Sequence, residues 1–138
     1  VSELNEKIRA VLAAGPSLRL AILFGSRARG TGRPDSDIDL AIVPAYAALS
    51  LAEESQLASD VERATGLHVD LVRLDRAEGA LSWRVARDAV VLLSDPPTEA
   101  ARFLARAGIE HDERRELELD AMRRYRARLA ATTGESTR

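Results

Sequence analysis

The hydrophobic positions change period several times along the chain, and each change predicts an element. Leu4, Ile8, Val11 and Leu12 recur at helical spacing, and Gly15-Pro16 stops that helix. Leu18 to Phe24 is an apolar run that predicts a buried strand. Gly25 to Arg29 predicts a short helix, broken by Gly30, Gly32 and Pro34. From Asp37 to Val43 the pattern alternates: Ile38, Leu40 and Ile42 face one way, Asp37, Asp39 and Ala41 the other. Pro44 ends this strand. Ser50 and Glu53 have the spacing of a capping box. They open a helix to about Thr65, with Leu51, Leu57, Ala58 and Val61 inward and Gly66 closing it. Leu67 to Leu74 predicts a third strand, Leu81 to Arg87 a short helix and Ala89 to Leu93 a short strand. After Pro96-Pro97 the pattern is helical from Thr98 to about Ala131, with a break expected at Gly108. Thr132 to Arg138 is polar and expected to fray.

The elements predict an α/β (α+β) fold: a small mixed sheet with flanking helices and a long C-terminal helix. Residues 1–95 form the expected core, 96–131 a helical extension of the same domain, and 132–138 a flexible tail. A length of 138 residues supports one domain with its own core. With 46% apolar and 30% charged residues the composition is that of a globular protein. There are no cysteines, which excludes disulfides, thiolate metal sites and cysteine nucleophiles. A net charge of -2 argues against nonspecific nucleic-acid binding. No apolar run approaches the roughly 20 residues that span a bilayer, and Val1 to Glu6 has no basic region followed by an apolar stretch, so no signal peptide is expected. No membrane association and a cytoplasmic location are therefore expected.

The candidate chemistry sits on the second and third strands. Asp37 and Asp39 are two apart on a strand, so both leave the same face. Two carboxylates that close repel unless a cation lies between them. Asp70, flanked by Val69 and Leu71, is a third candidate, which converges with the pair if its strand lies beside theirs. Such a trio suits Mg²⁺, which takes carboxylate oxygens together with substrate phosphates, and suits a site with two ions. Asp37, Asp39 and Asp70 are thus the candidate catalytic and metal-ligating residues. Before them, Gly25-Ser26 leaves one strand and enters a helix, a turn that can offer backbone N–H groups and a hydroxyl to phosphate. Arg27, Arg29 and Arg33 are positioned to offset triphosphate charge. The turn is no Walker loop, because Thr31 stands where lysine is required.

Taken together, Gly25-Ser26-Arg27-Ala28-Arg29-Gly30 and Ser36-Asp37-Ile38-Asp39-Leu40, with Asp70 as third acid, resemble the nucleotidyltransferases of the DNA polymerase beta-like superfamily. The small stand-alone MNT-domain proteins are the most similar group, over roughly residues 1–95. The resemblance implies the polymerase beta-like fold, ATP as nucleoside triphosphate substrate and Mg²⁺ as cofactor. It also implies an antitoxin role beside a HEPN-domain RNase toxin, with AMP transferred to a toxin tyrosine. Arg106 and His111 have the spacing that starts a HEPN RNase motif, but Glu113 stands where its tyrosine is required, so the spacing is read as chance.

Other residues point to packing or solvation. His68 reads as a partly buried strand histidine, Trp83 as packing, and Tyr125 as part of a solvated helix face among Arg123, Arg124, Arg126 and Arg128. Two alternatives to protein adenylylation are transfer to a small molecule such as an antibiotic, and neutralisation of a toxin by contact alone. The first lacks a second substrate-binding domain. The second would tolerate loss of a carboxylate or of Gly-Ser, and here all are present.

Overall fold

A computed structural model describes residues 2–46, 48–77 and 79–136. Their order is α1 (Glu3–Ala14), β1 (Leu18–Phe24), α2 (Gly25–Arg29), β2 (Ile38–Pro44), α3 (Leu51–Thr65), β3 (Val69–Arg73), a 3-10 turn (Leu74–Arg76), α4 (Gly79–Asp88), β4 (Val90–Ser94) and α5 (Thr98–Ser136). The four strands form one mixed sheet in the order β3-β2-β1-β4. β1 runs antiparallel to both β2 and β4, whereas β2 and β3 are parallel and joined through α3. The predicted α+β class with flanking helices and a long final helix is the one observed.

Capping explains where α3 begins and ends. The Ser50 hydroxyl accepts from the Glu53 N–H, and the Glu53 carboxylate accepts from the Ser50 N–H, which satisfies donors that a helix leaves open at its start. Gly66 closes the helix at φ 73°. One face of the sheet is covered by α1 and α3, through Ile8, Leu12, Leu57 and Val61 against Leu23, Leu40 and Ile42. The other face packs Leu20, Ile22, Phe24 and Ala41 against Val85 of α4 and Ala100 of α5. Each fully buried Leu or Ile contributes about 2 kcal/mol. Trp83 of α4 stacks on His111 of α5, ring centroids 4.0 Å apart. This places Trp83 in packing as expected, and gives His111 a place in the helix contact.

The structure corrects several boundaries. β2 starts at Ile38, leaving Asp37 just outside it and Pro44 within it as the last residue. β3 is shorter than 67–74, α4 begins earlier than Leu81, and β4 ends at Ser94. Leu51 is exposed because it occupies the first turn of α3, outside the inward face. α5 runs unbroken through Gly108 and on to Ser136, past the Ala131 expected as its end. A glycine costs a helix only about 1 kcal/mol relative to alanine, which strong helix formers on either side outweigh. Residues 137 and 138 of the predicted tail lie outside the described residues. No helix among those described is long and apolar enough to cross a membrane.

Candidate active site

Strand register builds the site. Phe24 pairs with Asp39 across β1 and β2, and Asp39 pairs with Asp70 across β2 and β3. Paired residues on adjacent strands share a face, with neighbouring strands about 4.8 Å apart. Asp39 is therefore flanked on one side by the turn that follows Phe24 and on the other by Asp70. The third strand does lie beside the second, so Asp39 and Asp70 are neighbours across the ladder, and Asp37 is near enough to act on Asp39 electrostatically. One oxygen each of Asp37 and Asp70 and one His68 nitrogen lie within 4.8 Å of one another. Asp37 and Asp70 are exposed, and Asp39 is half-buried.

The electrostatics match this crowding. Burial pushes the Asp39 carboxyl above its ordinary value, and the negative charges of Asp70 and Asp37 push the same way. Arg84 and Arg29 pull it down without prevailing. His68, expected to be partly buried, is exposed, because it lies in the turn just before β3. Its Nδ1 meets Glu62 at 3.2 Å and its Nε2 meets Asp70 at 3.2 Å. Desolvation is the largest single influence and lowers the imidazole, but Asp37, Asp70 and Glu62 together override it and hold the ring above its usual value.

The glycine turn has a specific fit to these acids. Gly25 sits at φ 73°, a left-handed conformation that side chains rarely adopt. A Cβ there would run into the Asp39 carboxylate. Gly25 thus lets the turn close over Asp39. The next residues fold back on themselves: the Thr31 and Gly32 N–H groups donate to the Ser26 carbonyl at 3.0 and 3.1 Å.

The arginines of this turn are committed differently from what spacing predicted. Arg27 donates through Nε to the Ser36 carbonyl at 2.8 Å, and through Nη2 to the carbonyls of Arg33 and Pro34. It holds the loop that carries the chain to Asp37. Arg29 donates to Asp88 at 2.7 Å, tying α2 to α4. The Asp88 side chain is 6% exposed and also meets Arg87, which holds its carboxyl below the usual range together with Arg29. Arg33 is exposed, and its backbone N–H donates to the Ser36 hydroxyl at 2.7 Å. Arg84 and Asp88 were missed by sequence reasoning. Both lie in an ordinary amphipathic helix, and only folding brings α4 against α2 and β1.

The family described as Polymerase beta, Nucleotidyltransferase matches residues 6–98. The chain belongs to this nucleotidyltransferase family, as the turn and acids suggested. Among relatives, it is 28% identical to the protein adenylyltransferase MntA of Aphanizomenon flos-aquae, over 86% of this chain and 85% of that one. Among solved structures, it is similar to a toxin-antitoxin with AMP-PNP: 30% identity, TM-score 0.65, over 86% of this chain and 98% of the other. It is also similar to a chain of the complex of a tri-AMPylated Shewanella oneidensis HEPN toxin with its MNT antitoxin. There the identity is 28%, the TM-score 0.60, and the cover 86% of this chain and 96% of the other.

Proposed function

We propose that this chain is an antitoxin that transfers AMP from ATP to a tyrosine hydroxyl of a HEPN-domain toxin, with Mg²⁺ held by Asp37, Asp39 and Asp70. The single observation that carries the reading is the register that sets Asp39 between the Gly25-Ser26 turn and Asp70. The donor set suits the ion: three carboxylates offer hard oxygen ligands, and their mutual repulsion is the charge deficit a divalent cation would fill. When bound, Mg²⁺ would neutralise triphosphate charge and favour ionisation of an incoming hydroxyl.

The residues divide the remaining work. Gly25 and Ser26 offer a backbone N–H and a hydroxyl to phosphate oxygens. Asp39, half-buried between turn and edge strand, is the carboxylate shared by nucleotide and acceptor sides. Asp70 lies on β3, the edge strand, and is exposed, open to an acceptor. The acceptor hydroxyl gives up its proton to solvent, its oxygen bonds to the α-phosphorus, and pyrophosphate leaves with the electron pair of the broken P–O bond. Arg84 is exposed near Asp39 and supplies charge to the triphosphate. Arg27 and Arg29 support the turn instead, through the loop carbonyls and Asp88. The likeness to an adenylyltransferase, to an AMP-PNP complex and to an antitoxin beside an AMPylated HEPN toxin supports AMP as the group and a HEPN protein as acceptor.

Intact-mass analysis tests the reading. The chain is incubated with ATP, Mg²⁺ and the product of the adjacent gene. A mass gain of AMP on the partner, localised to tyrosine and absent with Asp39→Asn, is expected. A stable complex without any adduct would overturn it in favour of neutralisation by contact.

A further inference from the structure

We propose that the outer half of α5 is a self-association surface, on which a second copy of this chain docks antiparallel. After Arg114 the helix leaves the body: every residue from Arg115 to Thr132 is exposed. Helices in proteins draw most of their stability from packing one face, and propensity alone supports such a segment only marginally. The inner half of α5 shows which face packs. Ala100 and Ala107 are buried and His111 stacks on Trp83. Steps of three and four residues carry that same face outward to Met122. Around it stand the large apolar side chains of Leu119, Met122 and Tyr125, which are 40%, 49% and 61% exposed.

The charges select the occupant. Glu116, Glu118 and Asp120 lie six, four and two residues before Met122, and Arg124, Arg126 and Arg128 lie two, four and six after it. Two antiparallel copies crossing at Met122 bring each acid to the height of an arginine on the other copy. They also bring Leu119 to the height of Tyr125. A parallel pair would set like charge against like. Asp120 and Arg124 already bond within the chain at 2.6 Å. Glu118 and Arg126 are eight residues apart, about 12 Å of helix, too far to pair with each other; Arg126 has no acid three or four residues away, while Glu118 has Arg114 and Arg115 within that reach. They flank Met122 one turn below and one turn above, on its own face. A second copy supplies Arg126 with the acid its own helix lacks, and sets Glu118 opposite it.

The surface is independent of the transferase reading, and its test needs no nucleotide. Sedimentation equilibrium of the full chain is expected to show a monomer–dimer equilibrium that weakens as salt rises. Glu118→Arg and Arg126→Glu should each weaken dimerisation about tenfold, with helix content by circular dichroism unchanged. The double variant E118R/R126E should regain the original affinity. A monomer at every concentration, the result if a different protein covers this face, would overturn the proposal. So would a charge swap that fails to restore pairing.

Discussion

The two ends of β3 carry similar groups in opposite electrostatic states. At its start Asp70 lies beside Asp39, with Asp37 within reach, and the acids crowd one another. At its end Arg73, 6% exposed, donates to Glu54 at 2.7 Å, to both oxygens of Asp75 and to the Leu49 carbonyl. There the first and largest effect is the hydrogen bonding of Asp75, which pushes the guanidinium up, while Arg73 holds the Asp75 carboxyl below its ordinary value. One end is a closed structural knot. The other is left in charge deficit, which folding alone would not favour, and is suited to be completed by a cation and a triphosphate. On the function proposed above, the contrast separates carboxylates that hold the fold from carboxylates kept ready for a ligand.

The comparison can be broken most sharply at the acid-rich end. Asp39→Asn should lower AMP transfer by about a thousandfold, roughly 4 kcal/mol of barrier. Its melting temperature should stay equal or rise, because a repelling charge is removed. A large loss of stability would show that Asp39 belongs to the fold. At the knot the signs reverse. Arg73→Met strands Glu54 and Asp75 near the interior and should cost about 3 kcal/mol in urea unfolding, while any folded fraction keeps its affinity for nucleotide.

Gly25→Ala probes the join between turn and acids. It forces a side chain into a left-handed conformation and against Asp39, and should cost about 1–2 kcal/mol of stability as well as activity. An alanine variant with wild-type kinetics would show that the turn need not close over Asp39. The smallest effect concerns pH. The folded Asp75 carboxyl is depressed below its unfolded value near 3.8, so the unfolded chain takes up the proton first. The stabilisation is complete above that unfolded value and is lost as pH falls through the folded one. Asp75→Asn should therefore lower stability by about 1 kcal/mol at neutral pH and flatten the acid limb of the stability curve. An unchanged acid limb would mean that the knot does not titrate as described.

The acids and the turn were legible because they violate local expectation. Aspartates are disfavoured in strands, and Gly25-Ser26 interrupts an apolar run. α3 was legible because its caps are local chemistry. What escaped depended on contacts distant in sequence. Arg29 reads as a free cation until α4 brings Asp88 to it, 59 residues away. Arg73 reads as a polar strand end until Glu54 folds over it. Leu51 reads as core by hydrophobicity, but the first turn of α3 points it to solvent. Gly108 reads as a break, but its neighbours carry the helix past it.

The pairing of Asp39 with Asp70 in a parallel ladder makes the chain unevenly tolerant of changes in length. The connections around α3 offer exposed positions, Ala48 and Ser50 before it and Gly66 and His68 after it, where the chain can grow at little cost. A single residue added or lost where β3 begins would bring Leu71 or Val69 opposite Asp39 and turn Asp70 toward α3. Drift in this protein is thus cheap in its crossover and prohibited in one five-residue strand.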